Sequence, residues 1–247
     1  MVKHLIQNCL NLFGLKLSRL PTPAQIKQAN EDEKRKTLWL RNRGIKTVLD
    51  IGSNTGQFVS FISEVLPDAT IYSFEPLVDC YEELMAQFGN LPKFQAFNLA
   101  LGNETGQVEI HRSDFSPSSS LLPMAELHKS AFPYTEKEAI QSVNIVKLDE
   151  IAVELNLEKP ILIKLDVQGF EHQVIAGGIN TISRADILIV ELSLECLYQG
   201  QKLFHPLYEQ IVSFGFDYRG NFSQLVNPND GRVLQVDAIF VKDSNCN

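Results

Sequence analysis

Short apolar runs alternate along the chain with segments whose apolar residues recur at helical spacing. The helical segments place Phe58, Phe61, Ile62, Val65 and Leu66, and then Tyr81, Leu84, Met85 and Phe88, each on one face. Strands that alternate with helices of this length predict βαβ units and a parallel sheet. The strand-like runs are Thr47–Ile51, Thr70–Phe74, Phe94–Leu101, Ile161–Val167 and Ile187–Leu192.

Beyond these units the pattern changes. The runs "FDYRGNFSQLV" and "VLQVDAIFVK" are joined by the polar link "NPNDGR", which predicts an antiparallel pair closing one edge of the sheet. In the middle of the chain, Gly106–Asp114 indicates an extra strand, and Val143–Leu148 is extended again. The residues between them, up to about Ser142, predict an insertion over the strand ends, of the kind that often forms lids or binding elements.

The N-terminal segment "MVKHLIQNCLNLFGLKLSRL" has apolar residues at helical spacing with basic residues between them. One interpretation is a helix that covers the domain or a dimer partner. The other is an amphipathic helix, residues 1–20, that contacts a membrane or glycolipid surface peripherally. The segment lacks a small-residue cleavage site, which argues against a signal peptide. We expect a helical arm over residues 1–43 and one catalytic domain over residues 44–247.

Composition narrows the class of protein. The chain has 247 residues, of which 44% are hydrophobic, enough for one large α/β domain. Its net charge of −8 and the lack of a basic block argue against a nucleic-acid partner. Four scattered cysteines without metal-ligand spacing indicate a reducing compartment, so we expect a cytoplasmic protein, with membrane association through residues 1–20 as an option. The oligomeric state is open, with a homo-oligomer among the options.

The stretch "TVLDIGSNTGQF" has the order of a ligand-binding turn. A strand reaches Asp50, and Gly52 and Gly56 then precede a helix that we expect to begin near Thr55. Glycines allow a tight turn and a close backbone approach, while the helix N-terminus offers unpaired N–H groups. The G-x-x-x-G spacing differs from the dinucleotide pattern, which has a third glycine. Glu75 lies 23 positions after Gly52, at the end of the next strand, where it is placed to accept hydrogen bonds from ribose hydroxyls. The glycine turn and Glu75 together therefore predict a site for the nucleoside part of a ligand rather than a purely structural turn.

Several motifs in series resemble those of the FkbM family of S-adenosylmethionine-dependent methyltransferases. They are "VLDIGSNTGQF", "FEP", "NLALGNETG", "SSSLL", "VKLDEI" and "ILIKLDVQGFEHQVIAGG", and together they span roughly Lys46 to Lys242. The resemblance implies a class I methyltransferase fold: a Rossmann-like, seven-stranded sheet with an antiparallel last strand and helices on both faces. It also implies S-adenosylmethionine (SAM) as the methyl donor. The implied acceptor is a hydroxyl of a sugar, a glycolipid or polysaccharide, or a natural product.

The same resemblance assigns a cofactor site residue by residue. It implies that the turn residues face the methionine part and the ribose, that Glu75 holds both ribose hydroxyls, and that Pro76 lies beside the adenine. Three residues at the end of the third strand would border the adenine, and Ser119 and Ser120 would approach the cofactor or the acceptor. The turn residues are Asp50, Gly52, Ser53, Asn54 and Gly56, and the adenine-bordering ones are Asn98, Leu99 and Ala100.

The stretch "IKLDVQGFEHQ" ends a strand-like run in a cluster of titratable side chains. Ligands of open α/β sheets bind beyond the carboxyl ends of the strands, which is where Asp166 lies. Glu171 falls in the first turn of the next helix, where a carboxylate is also favoured for purely structural reasons. His172 fits either a proton acceptor near neutral pH or a packing residue. Glu191 closes the following strand next to Asp166, so the candidate bases are Asp166, His172 and Glu191, with Glu171 in reserve.

A pair of carboxylates at one sheet edge admits three uses. Asp166 and Glu191 could orient the acceptor hydroxyl, accept its proton, or hold a divalent cation such as Mg²⁺ with oxygen ligands. Between them in sequence, Gln168 stands where the family more usually has Glu, and an amide neither serves as a base nor neutralises a metal. Two other classes of protein compete with the methyltransferase: a non-catalytic or membrane-docked Rossmann-like scaffold, and an NAD-dependent oxidoreductase, which the missing third glycine disfavours.

Overall fold

A computed structural model describes residues 37–242 of the protein. Residues 37–41 are helical, and the Asn42 N–H donates to the carbonyl of Leu38 at 3.0 Å. Residues 1–36, and with them the predicted amphipathic helix, lie outside the described residues, so the arm and its boundary at residue 43 stay predictions. Within residues 37–242, no helix is both long enough and apolar enough to cross a membrane.

A seven-stranded sheet forms the centre of the domain, with the strand order β3-β2-β1-β7-β8-β10-β9. Every pairing in it is parallel except those of β10, which runs antiparallel to both β8 and β9. The predicted class I sheet with an antiparallel last strand is therefore confirmed. The strands are β1 (Thr47–Ile51), β2 (Thr70–Phe74), β3 (Phe94–Phe97), β7 (Ile161–Leu165), β8 (Ile187–Ser193), β9 (Asp217–Val226) and β10 (Val233–Val241).

The helices lie on both faces of this sheet, as predicted. From β1 the chain moves outward to β2 and β3, then returns to β7 on the other side of β1 and moves outward the other way. Because crossover connections are right-handed, the helices of the two halves lie on opposite faces. The carboxyl ends of β1 and β7 consequently form a topological switch point, where such folds bind ligands. The crossover helices are α1 (Gln57–Val65), α2 (Val78–Phe88), α5 (Glu171–Gly177), α6 (Ile179–Arg184) and α7 (Phe204–Ser213), and two short helices lie elsewhere, α3 (Glu126–Ala131) and α4 (Leu148–Ala152).

The central strands are buried on both faces, which explains why most of their residues are apolar instead of alternating with polar ones. All five residues of β1 and all five of β7 are buried. In the main core, alternate residues of these strands, such as Leu49 and Ile163, pack with Val174 and Ile182 of the helices. The positions between them include polar residues, which belong to the site described below.

The predicted strand Phe94–Leu101 is wrong as one element. The main sheet keeps only β3, while Ala100–Gly102 forms β4 of a second sheet. The break falls at Asn98, whose amide donates to the carbonyls of Glu75 and Pro76, both at 2.9 Å. These side-chain bonds tie the chain to the end of β2, so it cannot continue the ladder of β3.

The second sheet has three strands in the order β4-β6-β5. The strand predicted at Gly106–Asp114 is β5 (Gly106–Ser113), and the extended segment predicted from Val143 is β6 (Glu138–Lys147). The insertion is therefore shorter than expected, because β6 begins before Ser142 and pairs along the whole length of β5. Between the two strands lie α3 and two 3-10 turns, Ser116–Ser118 and Pro133–Thr135.

The predicted antiparallel pair at the C-terminal end is confirmed, with one refinement. β10 lies inside the sheet between β8 and β9, and β9 forms the edge. Most residues of β9 are exposed, whereas most of β10 is buried. Register shifts along the β9–β10 pair twist this edge, a common device at the border of a sheet.

Candidate active site

The turn after β1 brings three strand ends together. The N–H groups of Gly52 and Ser53 donate to the carbonyl of Phe74, at 3.0 and 3.1 Å, and the Asp166 N–H donates to the carbonyl of Ile51 at 3.0 Å. Gly52 has φ of +85°, and a Cβ there would lie 1.8 Å from the carbonyl oxygen of Asp166. Glycine is therefore required at position 52, because the turn passes directly against the backbone of the β7 end.

Glu75 joins this turn to the end of β2. Its two carboxylate oxygens accept from the N–H groups of Asn54 at 2.8 Å and Leu77 at 2.9 Å. Burial raises the pKa of Glu75 to about 7, although both backbone N–H groups favour the ionised form. The carboxyl group is thus held rigidly against the cavity with lone pairs left for hydroxyl donors.

Three residues expected at the cofactor site lie behind the cavity wall. Asp50 is fully buried, its two carboxyl oxygens have no hydrogen-bond partner among the described residues, and burial raises its pKa. Gly56 faces α2, since a Cβ there would meet Phe88 at 2.4 Å. Asn98 supports the Glu75–Pro76 backbone through the bonds given above. These residues shape the site and do not line it.

A cavity of about 340 Å³ opens at the carboxyl ends of β1, β2 and β7. Its size falls in the ordinary range for small-molecule sites. The 3-10 turn at Ser116–Ser118 and the following residues cover it, and the Asn54 amide donates to the Ser116 hydroxyl at 3.1 Å. Of the residues expected at the site, the structure brings together in the lining Gly52, Ser53, Asn54, Glu75, Pro76, Leu99, Ala100, Ser119, Ser120 and Asp166.

On the β7 side, the cavity wall carries an ion pair. Lys164 Nζ lies 2.8 Å from Asp166 Oδ2, and both residues line the cavity. Burial lowers the pKa of a lysine, but the carboxylates of Asp166 and Asp50 outweigh it and hold the pKa of Lys164 above its ordinary value. Burial likewise acts to raise the pKa of Asp166, but Lys164 and the neighbouring hydrogen bonds hold that pKa below its ordinary value. Asp166 is therefore ionised at neutral pH.

Gln168 bridges the two carboxylates that the sequence placed at this edge. Its amide nitrogen lies 2.8 Å from Asp166 Oδ1 and 3.0 and 3.1 Å from the two oxygens of Glu191. The Tyr198 hydroxyl lies 2.8 Å from Gln168 Oε1 and 3.1 Å from the carbonyl oxygen of Ser118, so its single proton is shared between these two acceptors. Gln168 has φ of +55°, and Asn54, with φ of +48°, is the other non-glycine residue of residues 37–242 with positive φ. Both line the cavity, so backbone strain concentrates at this site.

Glu191 lies next to Asp166, as predicted from adjacent strand ends, but behind the cavity wall. Burial and the nearby charges of Asp166 and Glu171 raise the pKa of Glu191 well above its ordinary value, which favours its neutral form. Asp237, its register partner on β10, completes a group of three carboxylates whose oxygens lie within 4.8 Å of one another. Asp166 and Glu191, whose pKa values are shifted in opposite directions, titrate as a pair.

Glu171 and His172 do not line the cavity. Glu171 begins α5, and its Oε1 accepts from the N–H groups of Val167 at 3.0 Å and Gly169 at 3.2 Å. It holds the turn after β7 in shape, and burial raises its pKa to about 7. His172 packs edge-on against Phe170 with ring centroids 6.1 Å apart, and burial and Lys202 lower its pKa.

Two residues of the site escaped the sequence analysis. Lys164 left a signal, since it is the single charged residue in the buried run "ILIKL", where an unpaired charge would be costly. For Tyr198 we identify no feature of the sequence that predicts a role in the site. It is buried in the segment after β8, and only the fold brings its hydroxyl to Gln168.

These features define a class of protein. A Rossmann-like sheet with its cavity at the switch point, a glycine turn, and an acid that closes β2 form an enzyme that binds a nucleoside-containing cofactor. Residues 50–218 match the family model described as "Methyltransferase FkbM domain". The chain belongs to this family of methyltransferases, and its cofactor is SAM. The predicted family is confirmed, and the NAD-dependent oxidoreductase is excluded.

Curated relatives agree with this family. The chain is 28% identical over 173 residues to the 2-O-methyltransferase NoeI of Sinorhizobium fredii, covering 68% of this chain and 71% of the relative. It is 23% identical to the hexuronic acid methyltransferase AglP of Haloferax volcanii, covering 68% of this chain and 59% of AglP. A crystal structure of a methyltransferase FkbM from Methylobacillus flagellatus is 14% identical, with a TM-score of 0.49, covering 80% of this chain and 44% of that one.

Replacing the bridging amide tests how this site sets its charge. We expect Gln168→Glu to raise the pKa of Asp166, because a third carboxylate would lie within hydrogen-bond distance of both existing ones. The acidic limb of the kcat against pH profile should then move upward by about one pH unit. Gln168→Met is the matched control, since it removes the amide without adding charge. An acidic limb unchanged in Gln168→Glu would show that position 168 does not control the ionisation of Asp166.

Proposed function

We propose that the protein transfers the methyl group of SAM to a hydroxyl of a sugar, as part of a free sugar, glycolipid, polysaccharide or glycosylated natural product. The observation that carries this proposal is the ionised carboxylate of Asp166, which lines the same cavity as Glu75. Two relatives support this proposal by name: a 2-O-methyltransferase, whose name gives an oxygen acceptor, and a hexuronic acid methyltransferase, whose name gives a sugar acid.

The lining residues fit the donor. Gly52 and Glu75 both line the cavity, and Glu75 presents a carboxylate to the ribose hydroxyls. Leu99 and Ala100 give an apolar surface beside Pro76, suited to a flat base. When bound, SAM supplies a methyl group already activated on its sulfonium. The chain's own tasks are therefore to orient the acceptor hydroxyl and to remove its proton.

Asp166 performs the proton transfer in this proposal. A hydroxyl is a poor nucleophile at neutral pH, but its proton becomes strongly acidic as the oxygen forms the new C–O bond. Asp166 therefore suffices as a base despite its low pKa, because it need only be ionised and in place when that bond forms. The hydroxyl proton passes to Asp166, and the S–CH₃ bond breaks as the O–CH₃ bond forms.

The neighbours of Asp166 hold it ready for this step. Lys164 keeps it ionised, and Gln168 fixes its second oxygen. The raised pKa of Glu191 favours its neutral form, which weakens the repulsion between its carboxyl group and that of Asp166. Glu171 and His172 take no part in the proton transfer, because the cavity does not reach them.

The chemistry of the carboxylate group does not favour a divalent cation. Asp166, Glu191 and Asp237 offer the oxygen ligands that Mg²⁺ prefers. However, the Lys164 ammonium already bonds to Asp166 at 2.8 Å, and a dication bound there would be repelled by it. We therefore propose methyl transfer in which Lys164 and Gln168, and no metal, balance the charge of Asp166.

A methylation screen tests the function directly. The purified protein would be incubated with SAM and a panel of free sugars, glycosides and glycolipids, with products identified by a mass gain of one methylene. We expect methylation of at least one sugar hydroxyl, undiminished by EDTA. Loss of turnover with EDTA, and its recovery with Mg²⁺, would overturn the metal-free proposal alone.

Titration calorimetry with SAM separates the remaining alternative. A non-catalytic scaffold predicts weak or no SAM binding, and no product with any acceptor. If the protein binds SAM but methylates only hydroxyls that are not part of a sugar, the methyltransferase activity stands and the proposed sugar acceptor is wrong. Peripheral membrane contact through residues 1–20 and self-association stay predictions, as does a cytoplasmic location.

A further inference from the structure

Two exposed aromatic side chains lie beside the segment that covers the cavity, since one of them, Phe115, directly precedes the lining residues Ser116 and Pro117. Phe115 is 44% exposed and Tyr134 is 63% exposed, and we call them the rim pair. Their ring centroids are 5.3 Å apart and the planes meet at 86°, so the two rings pack edge to face. Beneath them, the buried Phe132 lies 6.3 Å from Tyr134 and supports it.

Hydrogen bonds on both sides hold the rim pair in place. The Asp114 N–H donates to the carbonyl of Lys137 at 2.9 Å, and the Ser113 hydroxyl donates to the carbonyl of Thr135 at 2.7 Å. These bonds join the chain before Phe115 to the chain around Tyr134. The backbone that carries both rings is therefore held in place by these hydrogen bonds.

The residues that follow Phe115 connect the rim pair to the cavity. Ser116 and Pro117 line the cavity, and Ser116 is bonded to Asn54 of the cofactor turn. Further along, Ser118 accepts from the Tyr198 hydroxyl, which also bonds to Gln168 next to Asp166. The segment that carries Phe115 therefore covers both the cofactor turn and the proposed base.

The surroundings of the rim pair match one kind of ligand. A pyranose ring has a flat face of C–H groups and a rim of hydroxyls. Its C–H face suits an aromatic surface, and its hydroxyls suit charged groups beside that surface. Lys137 and Asp114 supply such groups, with 3.5 Å between Nζ and Oδ2 and side chains 87% and 69% exposed.

We infer that the rim pair binds a second sugar ring of the acceptor, one unit away from the sugar that receives the methyl group. This inference rests on the proposed function and adds that the acceptor is an oligosaccharide or a glycan chain. An acceptor with one ring reaches the cavity alone, whereas a longer one also covers Phe115 and Tyr134. The protein is accordingly selective for chain length.

Steady-state kinetics on matched acceptors test this inference. The probes are methyl glycosides of hexoses and hexuronic acids, and the disaccharides that carry the same reacting unit. For the wild-type protein we expect a lower KM for the disaccharide. In Phe115→Ala/Tyr134→Ala, the disaccharide KM should rise about tenfold, with kcat, the glycoside KM and the SAM affinity unchanged.

Two controls keep the result interpretable. Tyr218→Ala removes an aromatic residue that is 39% exposed on the edge strand β9, and it should change neither KM. Phe115→Tyr/Tyr134→Phe keeps both rings and should retain the wild-type preference, with unfolding temperatures confirming that the variants are folded.

The failures of the two proposals are distinct. If the wild-type protein methylates no sugar, the proposed function fails and this inference fails with it. If it methylates sugars but the alanine variant keeps the disaccharide KM, or raises both KM values equally, only the role of the rim pair is overturned. Rim-dependent sedimentation with phosphatidylcholine vesicles, without an effect on the disaccharide, would instead assign the pair to a membrane surface.

Discussion

Asp166→Asn lowers kcat by ~10²–10⁴-fold, the usual contribution of a positioned general base. This corresponds to about 3–5 kcal/mol of lost transition-state stabilisation. Asparagine has nearly the same shape and can still accept a hydrogen bond from Lys164, so the cavity should keep its form. The affinity for SAM should change by only a few fold, since the cofactor turn and Glu75 are untouched. Turnover and calorimetry on the same preparation measure both quantities.

A control within the same carboxylate group sharpens this experiment. Asp237→Asn makes the same chemical change at a residue that does not line the cavity, and we expect less than a tenfold loss of kcat. His172→Ala should also stay close to wild type, because its ring packs on Phe170 outside the lining. Wild-type turnover in Asp166→Asn, with SAM still bound, would remove Asp166 as the base.

Glu75→Gln weakens SAM binding by about 100-fold, close to 3 kcal/mol. The carboxylate now accepts from two backbone N–H groups and has further lone pairs for the ribose hydroxyls. Glutamine has one acceptor oxygen, and its NH₂ group would face a backbone N–H donor. The variant loses charge-assisted hydrogen bonds and leaves a donor unpaired. Isothermal titration calorimetry measures the change, with Glu82→Gln on the exposed face of α2 as the matched control.

The same residue makes SAM binding depend on pH. Because the pKa of Glu75 in the free protein is about 7, most of it is protonated at pH 6 and ionised at pH 8. Ribose hydroxyls donate to the ionised form, so the wild-type affinity should fall about tenfold from pH 8 to pH 6. Glu75→Gln should lack this component, which separates it from the titration of SAM itself. An equal pH dependence in both proteins would contradict the assignment.

The stability of the free protein should fall as the pH rises, whereas its affinity for SAM rises. The folded pKa of Glu75 lies above its ordinary value of 4.5, and so does that of Glu171. The folded state therefore binds more protons than the unfolded state between pH 4.5 and about 7. Both groups contribute stability that is fully present below pH 4.5 and is lost as pH rises through 7. SAM raises the unfolding temperature, and this increase should grow with pH because the ionised Glu75 binds SAM more tightly.

The sequence could predict whatever depends on local pattern. Runs such as Thr47–Ile51 and Thr70–Phe74 match β1 and β2 residue for residue, because a strand covered on both faces is mostly apolar. The order of glycine turn and Glu75 likewise placed both at one cavity. Asn98 shows the limit, because the bonds that end β3 go to carbonyls more than 20 positions away.

The directions of the side chains could not be predicted from the sequence, because they too depend on contacts between distant parts of the chain. Glu171 and His172 are neighbours at a helix start, and their orientation depends on the phase of α5 against the sheet. The structure turns Glu171 to the backbone of the preceding turn and His172 to Phe170. The bridging role of Gln168 depends on a left-handed backbone and on Tyr198, 30 positions later.

The pairing of Ser113 with Glu138 closes the base of the segment that carries the rim pair. Residues 114–137 therefore leave and re-enter the domain at one point, as a loop whose two ends are already joined. Doubling the length of such a loop costs only about 0.6 kcal/mol, since the closure itself is already made. Evolution, or an engineer, could thus vary the part of this segment around Tyr134 to recruit new acceptors, while Ser116 and Ser120, which are bonded to Asn54 and Gln168, are kept.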